Sequence, residues 1–278
     1  MESDVKPNDI TATNNTNTNT NTNTNSQDPG VENSASANPS ADLVQVEHRA
    51  HATLITLNRP EKMNALSADL VDALSAAVDD AHARGSDLIV LRGTGRNFSA
   101  GFDFGGYEEQ SEGDLLLRFV RIEQLLQKVA TSPAVTLALA HGKNFGAGVD
   151  LFGACALRVA APGATFRMPG LKFGLVLGTR RYAEIVGKQV AREILTQTRT
   201  FDAEEALRHG FVTQLAPPAD HDACIARALE TALALSPSAR AQLHQALAPA
   251  TLDTDLASLV RSAAQPGLKQ RIRAYLNA

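Results

Sequence analysis

The chain has 278 residues, 44% hydrophobic and 20% charged, with two cysteines, no tryptophan and a formal net charge of −4. No run approaches the ~18 consecutive apolar residues of a membrane span, two cysteines cannot build a disulfide framework, and no Cys/His cluster has zinc-ligand spacing. Residues 1–41 hold five acids against Lys6, so the remainder balances at 25 basic and 25 acidic groups; neither a nucleic acid nor a membrane is an expected partner.

Residues 11–26 read TATNNTNTNTNTNTNS. An Asn/Thr alternation offers almost nothing apolar to bury, which predicts a disordered leader over residues 1–41. It has no apolar signal region, and the first arginine is Arg49, so no targeting segment is read and a cytoplasmic location is expected. The folded core is expected over residues 42–215, with a helical region over 216–278.

Leu43 to His48 and Thr53 to Leu57 alternate apolar and polar residues, and the short Arg49-Ala50-His51 link predicts a hairpin. Ser67 can cap a helix carrying Leu70, Val71, Leu74 and Val78 at helical spacing, with Gly85 at its end. Leu88 to Leu91 reads as a short buried strand, followed by a glycine-punctuated loop over 93–101. Leu115 to Val129 repeats apolar residues at helical intervals, and Pro133 stops it. Val135 to Ala140 is a second apolar strand, followed by the glycine-rich stretch from His141 to Gly148. Leu157 to Ala160 and Thr165 to Met168 are strand-like. Asp202 with Glu205 resembles a capping box, and Gly210 closes that helix. From Asp220 the pattern is helical, with breaks near Pro237, Pro249 and Pro266. Strand and helix alternate, then helices follow: an α/β domain with a helical C-terminus.

Two segments share one plan: apolar strand, loop of small residues, helix start. They are LIVLRG-TGRNFSAGFDF (88–104) and VTLALA-HGKNFGAGVDLFG (135–153). Small residues let a ligand approach backbone N–H groups, and a helix N-terminus adds unpaired donors and partial positive charge. Two such donors aimed at one point can hold an enolate or a tetrahedral oxyanion, with Asp150 close enough to place a carboxylate beside it. Loops of this kind are also common packing devices.

Five blocks in order carry a resemblance: TLITLNRPEKMNAL (53–66), NFSAGFDF, HGKNFGAGVDL, ATFRMPGLKFGLV (164–176) and ILTQTRTFDAEEALRHGFV (194–212). Over about Leu43 to Leu215 the chain resembles the crotonase superfamily, the enoyl-CoA hydratase/isomerase family. The resemblance implies a spiral of ββα units with a helical C-terminal trimerisation region, giving a homotrimer or dimer of trimers. It implies an acyl-CoA or acyl-carrier-protein thioester as partner, a role in fatty acid metabolism, no metal and no cofactor beyond the CoA of the substrate.

By position, the resemblance implies Ala100 and Ala147 as oxyanion N–H donors and Asp150 as the general acid/base. Lys62, Ala65, Leu66, Gly101, Phe102, Asp103 and Gly146 would contact the substrate; Asp103 also reads as a structural cap. Departures are informative. Ala147 stands where the family usually has Gly. Asp150 replaces a glutamate and is shorter by one methylene, ~1.5 Å. Gly170 stands where the hydratases have their second glutamate. The loop before the next helix, Leu177-Gly178-Thr179, is about three residues short. Arg167, Lys172, Tyr182 and His141 are the candidate replacements for the missing acid. A general acid or base supplies about 10²–10⁴ in rate. The expected function is therefore hydratase or isomerase chemistry through an enolate. Thioester decarboxylation or hydrolysis is the alternative within the family, and acyl-CoA binding without catalysis the alternative of another class.

Overall fold

The computed structural model describes residues 43–247 and 250–278. The leader predicted for residues 1–41 and the break at Pro249 lie outside the described residues.

β1 (Val44–His48) and β2 (Ala52–Leu57) form the predicted antiparallel hairpin, with Val46 opposite Ile55. The Ser67 hydroxyl accepts the Leu70 N–H and starts α1 (Ala68–Ala83). β3 (Leu88–Gly93) follows, then α2 (Glu112–Ala130). This helix begins before its apolar repeat does, because Ser111 and Asp114 cap each other's backbone N–H groups. β4 (Val135–Ala140) leads through β5 (Lys143–Phe145) into α3 (Ala147–Ala154). β6 (Leu157–Ala160), β7 (Thr165–Arg167), α4 (Thr179–Val186), α5 (Lys188–Gln197), β8 (Thr200–Asp202), α6 (Ala203–Arg208) and β9 (Gln214–Leu215) complete the alternating part. Then come α7 (His221–Leu233), α8 (Pro237–Leu247), α9 (Leu252–Ala263) and α10 (Leu268–Leu276).

The main sheet has the order β1-β2-β3-β4-β6-β9 and is parallel from β2 onward. Successive side chains of a strand point to opposite faces, and a sheet covered on both faces has strands without polar positions. β2 is buried at every residue. Ile55, Leu57, Ile89, Leu91, Ala138 and Ala140 join the core built with α1 and α2. Leu54, Leu88, Val90, Leu137 and Leu139 pack in the opposite direction, with Cys224, Ile225 and Ala228 of α7. So α7 covers the second face of the sheet.

A second sheet, β5-β7-β8, has β5 parallel and β8 antiparallel to β7. Residues 143–145 read as loop in the sequence. Three residues are too few to show a period, and ladder pairing with β7 decides their conformation. Phe152, Phe166 and Phe211 are fully buried where this sheet meets α3, with ring centroids 5.3–5.7 Å apart.

Candidate active site

The first loop is held by the segment before α1. Asn64 is fully buried, in the left-handed region at φ 53°. Its Oδ1 accepts the Arg59 N–H at 2.8 Å, and its Nδ2 donates to the carbonyls of Thr94 and Asn97, both at 2.9 Å. Ser99 Oγ donates to the Asn64 carbonyl at 2.8 Å. Replacing Asn64 with Ala strips partners from three buried backbone groups and is expected to cost about 2–5 kcal/mol. Denaturant unfolding measures this, and a loss below about 1 kcal/mol would mean that the loop is held by other contacts.

Residues 63–66 and 100–103 run side by side as a short parallel ladder. Ala100 N–H donates to the Met63 carbonyl at 2.9 Å, Leu66 N–H to the Gly101 carbonyl at 2.7 Å, and Asp103 N–H to the Leu66 carbonyl at 3.3 Å. This corrects part of the expected site. The Ala100 N–H is engaged and cannot also hold an oxyanion. Residues of such a ladder alternate in the direction of their N–H groups, so Phe102, paired with Leu66, turns its own N–H away from that segment. Among the described residues it donates to no protein acceptor. Leu66 and Gly101, expected to touch the substrate, are frame rather than wall: their backbones bond each other, and the Leu66 side chain lies in the core.

The second loop is pressed against the first. A Cβ at Gly101 would stand 2.2 Å from the Phe145 carbonyl oxygen and 3.0 Å from the Ala147 nitrogen, and Gly101 has φ 79°. Only glycine fits both demands. Ala147 is the first residue of α3, behind Gly146 at φ 47°. Its N–H is one of the donors a helix start leaves over, and among the described residues it has no protein acceptor. The Ala147 methyl, at the position where the resemblance implies glycine, is buried.

Ala100, Phe102, Gly146, Ala147, Asp150 and Gly170 line one cavity of about 420 Å³, with Lys62, Ala65 and Asp103 also on its wall. Phe119, Met168, Phe173 and Leu175 make its interior apolar, and Tyr275 and Leu276 of α10 close one side. Lys62 and Glu61 are exposed on its wall. Asp103 accepts the Gly105 N–H and pairs with Arg59 at 2.5 Å. Burial opposes its ionisation, but the Arg59 hydrogen bond, the Gly105 N–H and the charges of Arg59 and Arg118 outweigh this and hold its carboxyl below the usual range. It is a cap and clamp at the wall of the cavity. The Arg118 guanidinium lies 4.2 Å from the centre of the Phe102 ring, which steadies that side chain on the cavity wall.

Asp150 is 6% exposed, and its carboxylate makes no hydrogen bond or ion pair with a protein group among the described residues. Burial pushes its carboxyl well above the ordinary aspartate range; the positive charge of Arg181 opposes this and the negative charge of Glu123 adds to it. A Cβ at Gly178 would fall 1.9 Å from Asp150 Oδ1, so the shortened loop packs glycine backbone directly on the carboxylate. Arg181 and Glu123 form a buried ion pair at 3.0 Å. Neither was singled out from the sequence. The available signal was an acid at position 123, on the apolar stripe of a predicted helix, where burial demands a partner.

Arg167, Lys172, Tyr182 and His141 do not line the cavity. Arg167 Nε donates to the Thr198 carbonyl, and His141 Nε2 sits 3.0 Å from the Gly95 carbonyl oxygen. Of these four, none replaces the carboxylate missing at Gly170. Among the described residues no group of three or more His, Cys, Asp or Glu side chains is placed to hold a metal, and no helix is long and apolar enough to cross a membrane.

Comparison with known proteins identifies the family. The sequence model of the Enoyl-CoA hydratase/isomerase family matches residues 47–265. The crystal structure of an inferred enoyl-CoA hydratase/isomerase from Bordetella parapertussis is 60% identical, with a TM-score of 0.84 over 85% of this chain and 99% of that one. The enoyl-CoA hydratase from Bacillus halodurans superposes with a TM-score of 0.74 at 25% identity, covering 84% of this chain and 99% of that one. The Mycobacterium bovis protein echA6, an inferred enoyl-CoA hydratase, is 35% identical over 179 residues, 63% of this chain and 72% of the relative. On this family match over most of its length, the chain belongs to the enoyl-CoA hydratase/isomerase family and is an enzyme of the crotonase type.

Proposed function

We propose that the protein acts on an acyl-CoA thioester by forming an enolate, with Asp150 moving the α-proton and the N–H groups of Phe102 and Ala147 holding the thioester oxygen. The observation that carries this reading is the meeting of those three groups on the wall of one apolar cavity. Each N–H can bind the oxygen more strongly as charge gathers on it, and one such donor is worth about 10²–10³ in rate. Ionised Asp150 takes the α-proton and returns it at the same carbon or two carbons away. Its burial raises its basicity, which suits it to a weakly acidic C–H. With glycine at 170, Asp150 works without the second glutamate of the hydratases, and the Asp103 carboxylate on the same wall is tied to Arg59, so enolisation and double-bond isomerisation are favoured over water addition. Lys62 meets the phosphates of CoA at the cavity wall. Lys62→Ala is expected to raise KM roughly 2- to 5-fold with kcat unchanged, as for one exposed ion pair.

The single carboxylate also favours a second reading. Decarboxylation of a carboxylated thioester needs chiefly the oxyanion donors, and thioester hydrolysis releases CoA.

Incubating the protein in D₂O with 2-enoyl, 3-enoyl, 3-hydroxyacyl and carboxylated acyl-CoAs, followed by mass spectrometry, separates the readings. Deuterium gain without water addition is expected. Loss of carbon dioxide or of CoA transfers the assignment to the second reading, and binding without any chemistry rejects both. The trimer implied by the family is tested by light scattering, expected at three times the 29.5 kDa of one chain.

A further inference from the structure

Beside the substrate cavity, sharing Asp150 and Met168 with it, lies a much smaller cavity of about 10 Å³. Asp150, Gly178, Arg181, Tyr182 and Phe211 are among its walls. That volume is close to what one water molecule requires, and a buried water needs two to four polar partners. Arg181 is 8% exposed and its Nε and Nη1 have no partner, since only Nη2 reaches Glu123. The second polar group is the Asp150 carboxylate, itself without a protein partner. An unpaired guanidinium edge and an unpaired carboxylate on the walls of a one-water space form a built water site rather than a packing flaw, because leaving buried donors unpaired is costly.

A third cavity of about 260 Å³ adjoins it. The two share Gly178 and Arg181, and the larger is walled further by Arg180, Ala183, Asp255 and Ser258. Arg180 is exposed and pairs with Asp255 at 2.7 Å, so this space reaches the surface of the chain. It shares only Thr179 with the substrate cavity.

We propose that the small cavity is a water site that joins Asp150 to the rear cavity, so that Asp150 exchanges its proton with solvent while an acyl thioester fills the front. The proposal rests on the acid/base role given to Asp150 above. When the thioester is bound and position 170 carries no carboxyl, the proton taken by Asp150 has no partner on the substrate side. At the rear, the protonated carboxyl transfers its O–H proton to the water as that water releases another proton outward. Asp150 is left ionised, the water is regenerated, and solvent in the rear cavity takes up the proton; the reverse sequence reprotonates Asp150. Arg181 is a positioning residue here: its guanidinium, held by Glu123, orients the water and favours the ionised carboxylate.

The test is the exchange of α-hydrogens of a saturated acyl-CoA in D₂O at saturating concentration, followed by proton NMR. Ala183→Leu and Ser258→Leu fill the rear cavity without touching Asp150. Each is expected to slow exchange by about tenfold, less than the loss of an acid/base group itself, with the acyl-CoA Kd unchanged. Exchange at the wild-type rate in both overturns the relay. If the wild-type protein incorporates no deuterium into any thioester, the acid/base reading fails first and the relay falls with it, so the two failures are distinct. A crystal structure of the wild-type protein with a bound acyl-CoA analogue gives an answer independent of the variants. A water between Asp150 and Arg181 supports the relay, and a dry cavity overturns it.

Discussion

Replacing Asp150 with asparagine is expected to lower α-proton exchange and turnover by about 10²–10⁴ while acyl-CoA affinity stays within a few-fold, because the variant keeps the shape of the site and loses only the proton acceptor. The same substitution is expected to stabilise the fold above neutral pH. The sign follows from linkage. The Asp150 carboxyl is held well above its ordinary value of 3.8 in the folded chain, first by burial. As pH rises past the unfolded value, the unfolded chain releases this proton while the folded chain retains it. Stability therefore falls with rising pH until the folded group also ionises, and above that point the full cost of the buried charge remains. Asparagine carries no such cost. The gain in melting temperature should be near zero at pH 4, grow as pH rises and then level off. Scanning calorimetry across that range checks it, and a gain that shrinks as pH rises would show that the carboxylate is stabilised by its surroundings. Catalysis depends on the same ionisation in the opposite sense. If ionised Asp150 is the base, the acid limb of the pH–rate profile should lie well above pH 4, and an acid limb at the ordinary aspartate value would remove burial from the account.

Placing glutamate at position 170 is expected to raise hydration of a 2-enoyl-CoA by about 10²-fold or more, because it supplies the acid/base group that the cavity lacks. The geometry permits a side chain there. Gly170 opens the short 3₁₀ turn Gly170–Phe173, its φ is not positive, and an added Cβ would lie 3.2 Å from the Leu175 carbonyl oxygen and 3.9 Å from the Leu175 Cβ. The substitution requires the Leu175 carbonyl to give by a few tenths of an ångström. The new carboxyl would share the cavity with Asp150, and two neighbouring carboxyls resist double ionisation, so one is kept protonated as the acid while the other serves as base. Loss of enoyl absorbance measures the gain. Gly170→Gln should give none of it. Equal rates for the glutamate and glutamine variants would falsify the view that the absent carboxylate limits hydration.

The relation between sequence and site is uneven. The hairpin of β1 and β2, the start of α1 at Ser67 and the buried strands β3 and β4 were legible because each rests on a local period or cap. Asp150, Ala147 and Lys62 were singled out through the resemblance of their motifs, and all three line one cavity. The Ala100 N–H, read as an oxyanion donor from the resemblance, is bonded to the Met63 carbonyl instead. Which N–H remains free depends on the ladder between residues 63–66 and 100–103, a pairing of segments more than 30 residues apart that leaves no mark on loop composition. The Arg181–Glu123 pair spans 58 positions; the place of Glu123 on an apolar stripe asks for a partner, but nothing local names Arg181 as that partner.

The sequence by itself determined what local physics controls: the alternating elements, the glycines that let two loops meet, the carboxylate present at 150 and the one absent at 170. The tertiary structure alone decided which backbone N–H groups of the two loops are engaged, how Gly178 packs on the Asp150 carboxylate, and how α10 returns to close the cavity. Those features arise from contacts between distant segments, where burial removes water and leaves each polar group to the partner that packing brings within reach.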